Sequence, residues 1–290
     1  MSKGIRPIAV YRVAISRTLI GLCLLFLTWR GISGILPHQL ARPVLTSFHY
    51  DITMWIYKLS GLAYLIAQQP ASSKLFTLLL FVTGILSFCF PLQRRFTIPF
   101  SLLFLLLSIN FNFYLTHNSH YLSGFVWLLC CLWCRKDEHF ALLWDGLRYY
   151  ACWIYGGAFV WKLIYGAFFQ WDAGVLSCKE NLAGYLYQNP ETYTAYFYYW
   201  MFDHPALLNI GHKIICLAEG AFLLGFFTKK FDKWLIGMLF LIHLSTWIFS
   251  DVFFAELMIL GLTLVSVDSW KWLWYRTVPA SVHFLQKKIS

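Results

Sequence analysis

The chain has 290 residues, of which 59% are hydrophobic, 20% aromatic and only 12% charged. Soluble domains carry about 25% charged residues, so this composition excludes an ordinary water-covered globule and points to an all-α, polytopic integral membrane protein. The net charge of +10 is scattered in short Lys and Arg clusters between apolar runs, which is the positive-inside pattern and argues against nucleic acid as a partner.

Hydropathy places about eight spans at 13–36, 74–92, 97–116, 120–134, 146–166, 205–227, 234–250 and 252–269, most of them near the roughly 17–25 residues that cross a bilayer. The first run is too long for a signal-peptide core and no small-residue cleavage site follows it, so it reads as a retained span. The connection 37–73 contains an apolar piece, 52–68, that ends in Gln68, Gln69 and Pro70. It is short for a span and reads as an interfacial or re-entrant helix. The connection 169–204 is rich in Tyr, Trp and Phe, as in Tyr193 to Trp200. It reads as a long outside loop suited to the membrane–water boundary, or equally as the lid of a site. No soluble domain and no internal repeat is expected.

Charge sets the sidedness. Lys3 and Arg6, Arg94 and Arg95, Arg135 and Lys136, Lys229, Lys230 and Lys233, and the basic tail from Lys271 all fall on one side. The other side holds Arg42, Lys58, Lys74 and Lys179. The richer side is cytoplasmic, which puts both termini there. Cys23, Cys89, Cys130, Cys131, Cys152 and Cys216 lie in or at the ends of apolar runs and read as small hydrophobes. Cys131 and Cys134 have CxxC spacing but no βαβ context to support a redox role.

Ionisable residues inside a membrane are costly, and each is a candidate for function. Lys162, near the outer end of the fifth run, has three readings. It snorkels to the interface, it pairs with a carboxylate such as Glu256 or Asp251, or it is a desolvated lysine able to act as a base. His120 marks the outer start of the fourth run beside His117 and Asn118. His243 lies deep in the seventh run and needs a partner. Glu219 in the sixth run is a paired or protonated carboxylate holding helices together. His204, between Asp203 and Pro205, reads as the start of a helix. Lys162, His120, His204, Asp251 and Glu256 all fall toward the outer half of the bilayer, which suggests a site opening outward. No convincing metal-ligand set is present.

These residues also carry a resemblance. Asn118-Ser119-His120-Tyr121-Leu122 resembles the Asn-His-x-Tyr-Leu signature of the vitamin K-dependent gamma-carboxylase family, whose membrane core is shared with the bacterial horizontally transferred transmembrane (HTTM) proteins. Tyr155, Ala158, Lys162 and Leu163 fall in register with that family's lysine-bearing span. Trp171 matches the tryptophan that follows, and Glu219 and His243 match an acidic residue and a histidine in the next two spans. The resemblance covers roughly residues 13 to 268. It implies that Lys162 is the base that deprotonates a reduced, vitamin K-like quinone. It implies further that His120 and Asn118 hold the quinone, with Tyr121, Tyr155, Trp161, Trp171 and His243 around it, at a site facing the outside. Trp161 replaces a second lysine of that family, Phe159 a common glycine and Ser119 an asparagine, and the large C-terminal domain that captures the protein substrate has no counterpart here.

The expectation is therefore an enzyme acting on a quinone-like or other lipidic molecule, with a separate protein supplying the missing domain, in a bacterial inner membrane. A non-catalytic membrane subunit and a transporter are the alternatives.

Overall fold

A computed structural model describes residues 7–42, 44, 52–115 and 123–277. Those residues are mostly helical, with no strand among them. In chain order the helices are α1 (Pro7–Val10), α2 (Arg12–Ile32), α3 (Ile52–Leu59), α4 (Pro70–Cys89), α5 (Arg94–Tyr114), α6 (Ser123–Cys130), α7 (Asp137–Ile164), α8 (Ala173–Gln188), α9 (Tyr193–Asp203), α10 (Pro205–Ala221), α11 (Asp232–Ser250), α12 (Ala255–Leu260) and α13 (Val267–Thr277).

Among the described residues, five helices are long and apolar enough to cross a membrane: α2, α4, α5, α11 and the continuous stretch Pro205–Phe226, in which a 3₁₀ turn extends α10. They coincide with five of the eight runs read from hydropathy, and they make the chain a membrane protein by length and composition. The run 146–166 falls on α7 up to Ile164, and the helix's 28 residues are long enough but carry more charge. The runs 120–134 and 252–269 hold shorter apolar helices, Gly124–Trp133 and Ala255–Leu264. The piece at 52–68 is broken in two: α3 stops before Gly61, whose φ of 77° suits the residue without a Cβ, and a π-helical turn covers Tyr64–Gln68.

Residues 1–145 with 266–290 form one compact unit and 146–265 a second. In the first, α4 packs on α2 and α5. Gly84 permits this approach, because a Cβ there would stand 2.7 Å from Leu24 and 2.9 Å from Phe100. Phe104 and Phe26 meet the Phe125 ring at 5.4 Å and 5.2 Å. Polar side chains in these apolar helices bond back to the preceding turn: Ser87 donates to the Thr83 carbonyl at 2.6 Å and Ser101 to the Thr97 carbonyl at 2.7 Å. Such bonds satisfy hydroxyls where no water is available. Arg12 donates to the Cys134 and Arg135 carbonyls and, at 2.9 Å, to Asp137.

In the second unit the remainder of α7 lies antiparallel to α10. Tyr155 stacks on Phe222 with ring centroids 4.4 Å apart, while higher on α7 Phe159 meets Gly220. Two glycines let the axes close: a Cβ on Gly156 would lie 2.6 Å from Leu223, and one on Gly220 3.0 Å from Phe159. The apolar core here joins Cys152, Tyr155, Ala218, Phe222, Leu235, Leu239, Ile242 and Leu264. The connection 169–204, expected as a loop, is largely helical. Thr192 accepts a hydrogen bond from the Ala195 amide at 3.2 Å and so caps α9, which offsets one of the unpaired donors at a helix start. Val175, Cys178, Leu182, Tyr198, Met201 and Leu208 give this α8–α9 hairpin its own small core.

Candidate functional site

Four of the polar residues singled out in the sequence converge within the second unit. Lys162 Nζ lies 2.7 Å and 2.6 Å from the two carboxylate oxygens of Glu219. Tyr155 Oη lies 2.5 Å from His243 Nε2. Tyr155 and Lys162 are seven residues apart on α7, two turns on one face. Their counterparts, Glu219 on α10 and Phe222 at the start of the 3₁₀ turn that extends it, are three residues apart, so the ion pair sits one turn beyond the stacked rings. His243 on α11 completes the group, with its ring edge-on to Tyr155 at 5.8 Å and to Phe254 at 5.9 Å.

The direction of the side chains explains the pairing. A helical Cα–Cβ bond tilts toward the helix N-terminus. α7 and α10 run in opposite directions, so Lys162 leans back along α7 and Glu219 leans back along α10, each toward the other. A snorkelling lysine would lean toward the end of α7 instead. Glu219 lies 14 residues after Pro205, about 21 Å along the helix at 1.5 Å per residue, which puts the pair well inside the span. The lysine side chain is 26% exposed and the glutamate 10%. The expected carboxylate partners, Asp251 and Glu256, are replaced by Glu219. Asp251 instead takes a left-handed conformation, φ 52°, at the C-terminus of α11, and Glu256 is buried in the first turn of α12.

His243 is buried and its Nδ1 has no hydrogen-bond partner among the described residues. If the Tyr155 hydroxyl donates to Nε2, Nδ1 carries the proton and can donate; if Nε2–H donates to the hydroxyl, Nδ1 can accept. The structure therefore holds an ion pair, an aromatic wall of Tyr155, Phe222 and Phe254, and one unused polar atom. Trp161 and Trp171 are both exposed, and the Trp161 ring lies on Tyr165 at 4.0 Å. His120, Asn118 and Tyr121 lie outside the described residues, as do His117 and Ser119. His204 joins α9 to α10, its Nδ1 2.8 Å from the Trp200 carbonyl. Among the described residues no three His, Cys, Asp or Glu side chains come together as metal ligands.

Sequence reasoning passed over two cations that organise this unit. Arg148 is buried, 2% exposed, and fans its guanidinium over four acceptors: both oxygens of Asp232 at 2.9 Å and 2.5 Å, the Gly225 carbonyl at 2.9 Å and the Thr228 carbonyl at 3.1 Å. It satisfies the orphan carbonyls at the end of the Phe222–Phe226 turn and fixes the start of α11. Lys213 donates to the Ala167, Phe168 and Gln170 carbonyls just past α7. The signal for both was available, since each is a charge inside a run already assigned to the membrane.

Comparison with protein-family models, with curated proteins and with solved structures finds no match to this chain.

Proposed function

We propose that the protein is a membrane-embedded enzyme core that takes a proton from a lipid-soluble, quinone-like molecule, with Lys162 as the base. The observation that carries this reading is the bidentate contact between Lys162 and Glu219, at 2.6 Å and 2.7 Å. An ammonium is no base, but a carboxylate at this distance is the group to which its proton can pass. The product would be a neutral amine beside a neutral acid, a pair that leaves no charge in the apolar interior.

The surroundings are aromatic, but Tyr155 and Phe222 are buried and stacked on each other, so a flat ligand would have to part these rings to reach the unpartnered Nδ1 of His243. When bound, a hydroquinone supplies the acidic hydroxyl. Lys162 accepts the proton, Glu219 sets how readily it does so, and the Tyr155–His243 hydrogen bond fixes the imidazole tautomer. The order of Tyr155, Lys162, Trp171, Glu219 and His243 supports the likeness to the gamma-carboxylase and HTTM proteins. The charge clusters support about eight spans with both termini cytoplasmic, in a bacterial inner membrane.

The same bidentate contact favours a second reading, in which Lys162 and Glu219 only hold α7 to α10 in a non-catalytic subunit. Native mass spectrometry with lipid extraction, on wild type and on Lys162→Arg, Lys162→Ala, His243→Ala and His120→Ala, separates the two. The enzyme reading expects a co-purifying redox lipid in wild type that is weakened in Lys162→Ala, in His243→Ala and in His120→Ala. It also expects proton exchange to fail in Lys162→Arg, because a guanidinium keeps its proton. A protein partner retained by every variant, with no redox lipid in any, supports the subunit.

A further inference from the structure

We propose that the α8–α9 hairpin lies in the membrane–water interface and that its partner is the phospholipid headgroup layer, not a soluble protein. The inference is independent of any chemistry at Lys162.

Position comes first. Only His204 separates the end of α9 from Pro205, where the 22-residue stretch Pro205–Phe226 begins. That stretch is about 33 Å long and just spans a hydrocarbon core of about 30 Å, so its first residue stands at the boundary. α8 is fixed at the same level. Gly174 is packed so closely on the Leu208 backbone that a Cβ would come 2.4 Å from its carbonyl oxygen. The Val175 amide donates to Asn209 Oδ1 at 3.0 Å. At the far end of α11, Ser250 Oγ lies 3.4 Å from Cys178 Sγ, and Phe249 faces Phe197 of α9 at 6.4 Å. The hairpin is thus tied to the start of one membrane-length helix and the finish of another.

Chemistry then selects the partner. From Thr192 to Phe202 there is no charged residue. Ala195, Tyr198 and Met201 turn inward, leaving Tyr193 at 94% exposure, with Tyr196, Phe197, Tyr199 and Trp200 also exposed. Tyr187 at the end of α8 is 89% exposed. A water-facing helix of this kind would carry charges on its outer side. Tyr and Trp, apolar in body and polar at the tip, are the residues that prefer headgroup depth. α9 has 11 residues, about 16 Å, and cannot cross the bilayer, so lying flat is the arrangement that wets the hydroxyls and buries the rings.

The test places p-benzoylphenylalanine at Tyr196 or, separately, at Tyr193, in the full-length protein in phosphatidylcholine nanodiscs, with intact-mass detection after irradiation. Leu217, exposed in mid-α10, and Glu138, exposed at the start of α7, are the lipid and water controls. The expected result is a mass increase of one phospholipid at 196 and 193, as at 217, and none at 138. A lipid adduct at 217 with none at 196 or 193 overturns the proposal. So does an adduct of protein mass at those two positions, which would show a protein, or a second copy of the chain, covering the face.

Discussion

Replacing Glu219 with Gln breaks the bidentate contact to Lys162 while leaving the lysine in place. At 2.6 Å and an effective dielectric of about 20, the Coulomb attraction is about 6 kcal/mol. Desolvation of two ions offsets much of that. The net cost of leaving one buried charge without its partner is about 3–5 kcal/mol, whereas replacing both by apolar groups of similar volume is close to neutral. Glu219→Gln and Glu219→Met should each cost about 3 kcal/mol or more, and Lys162→Met a similar amount. The double variant Lys162→Met/Glu219→Met should recover to within about 1 kcal/mol of wild type. Sodium dodecyl sulfate titration in mixed micelles, followed by far-UV circular dichroism, measures all four. Additive single losses, with a coupling below about 1 kcal/mol, would refute the ion pair as described here.

Arg148→Ala should cost about 3 kcal/mol, because the half-buried Asp232 loses its partner and the Gly225 and Thr228 carbonyls lose their donor; the same titration reads it, and Arg148→Lys should recover only part of the loss. Gly174→Ala should cost about 1–3 kcal/mol by pushing α8 off the Leu208 backbone, with faster hydrogen exchange confined to α8 and α9. Tyr155→Phe should cost about 1–2 kcal/mol by orphaning His243 Nε2, and the loss should vanish when His243→Phe is added. His38 hydrogen-bonds Thr77 Oγ1 at 3.1 Å, and burial, then the Lys74 charge, holds its pKa below the ordinary value. The neutral ring therefore contributes stability that is complete above the unfolded value of about 6.5 and is lost as pH falls through the folded one. His38→Gln should flatten thermal stability over that acid range.

Much of the helical frame is written in hydropathy. The runs 205–227 and 234–250 fall within two residues of the Pro205–Phe226 and Asp232–Ser250 helices, because Pro205 sits at a first helical position where its missing amide costs nothing and Asp251 ends α11 in a left-handed turn. Pairings between helices are not written there. Lys162 could be recognised as costly from its own surroundings, but nothing in the periodicity of α7 says that its partner is Glu219, 57 residues on, and not Glu256 or Asp251. Arg148 lay inside an assigned run yet was passed over, since its acceptors, the carbonyls of Gly225 and Thr228, are backbone atoms that every residue type provides. Helix α9 was hidden by its composition, for a segment aromatic on nearly every side shows no stripe of period 3.6, whereas α8 does carry a short stripe of Val175, Cys178 and Leu182.

The opposed lean of Lys162 and Glu219 also bears on the order of synthesis. Ribosomes deliver α7 first, with the ammonium of Lys162 bare in its last turn. α7 is not among the helices apolar enough to cross on composition alone. Its neutralising carboxylate leaves the ribosome 57 residues later. Until α10 follows, Lys162 lacks the carboxylate that it contacts in the folded protein.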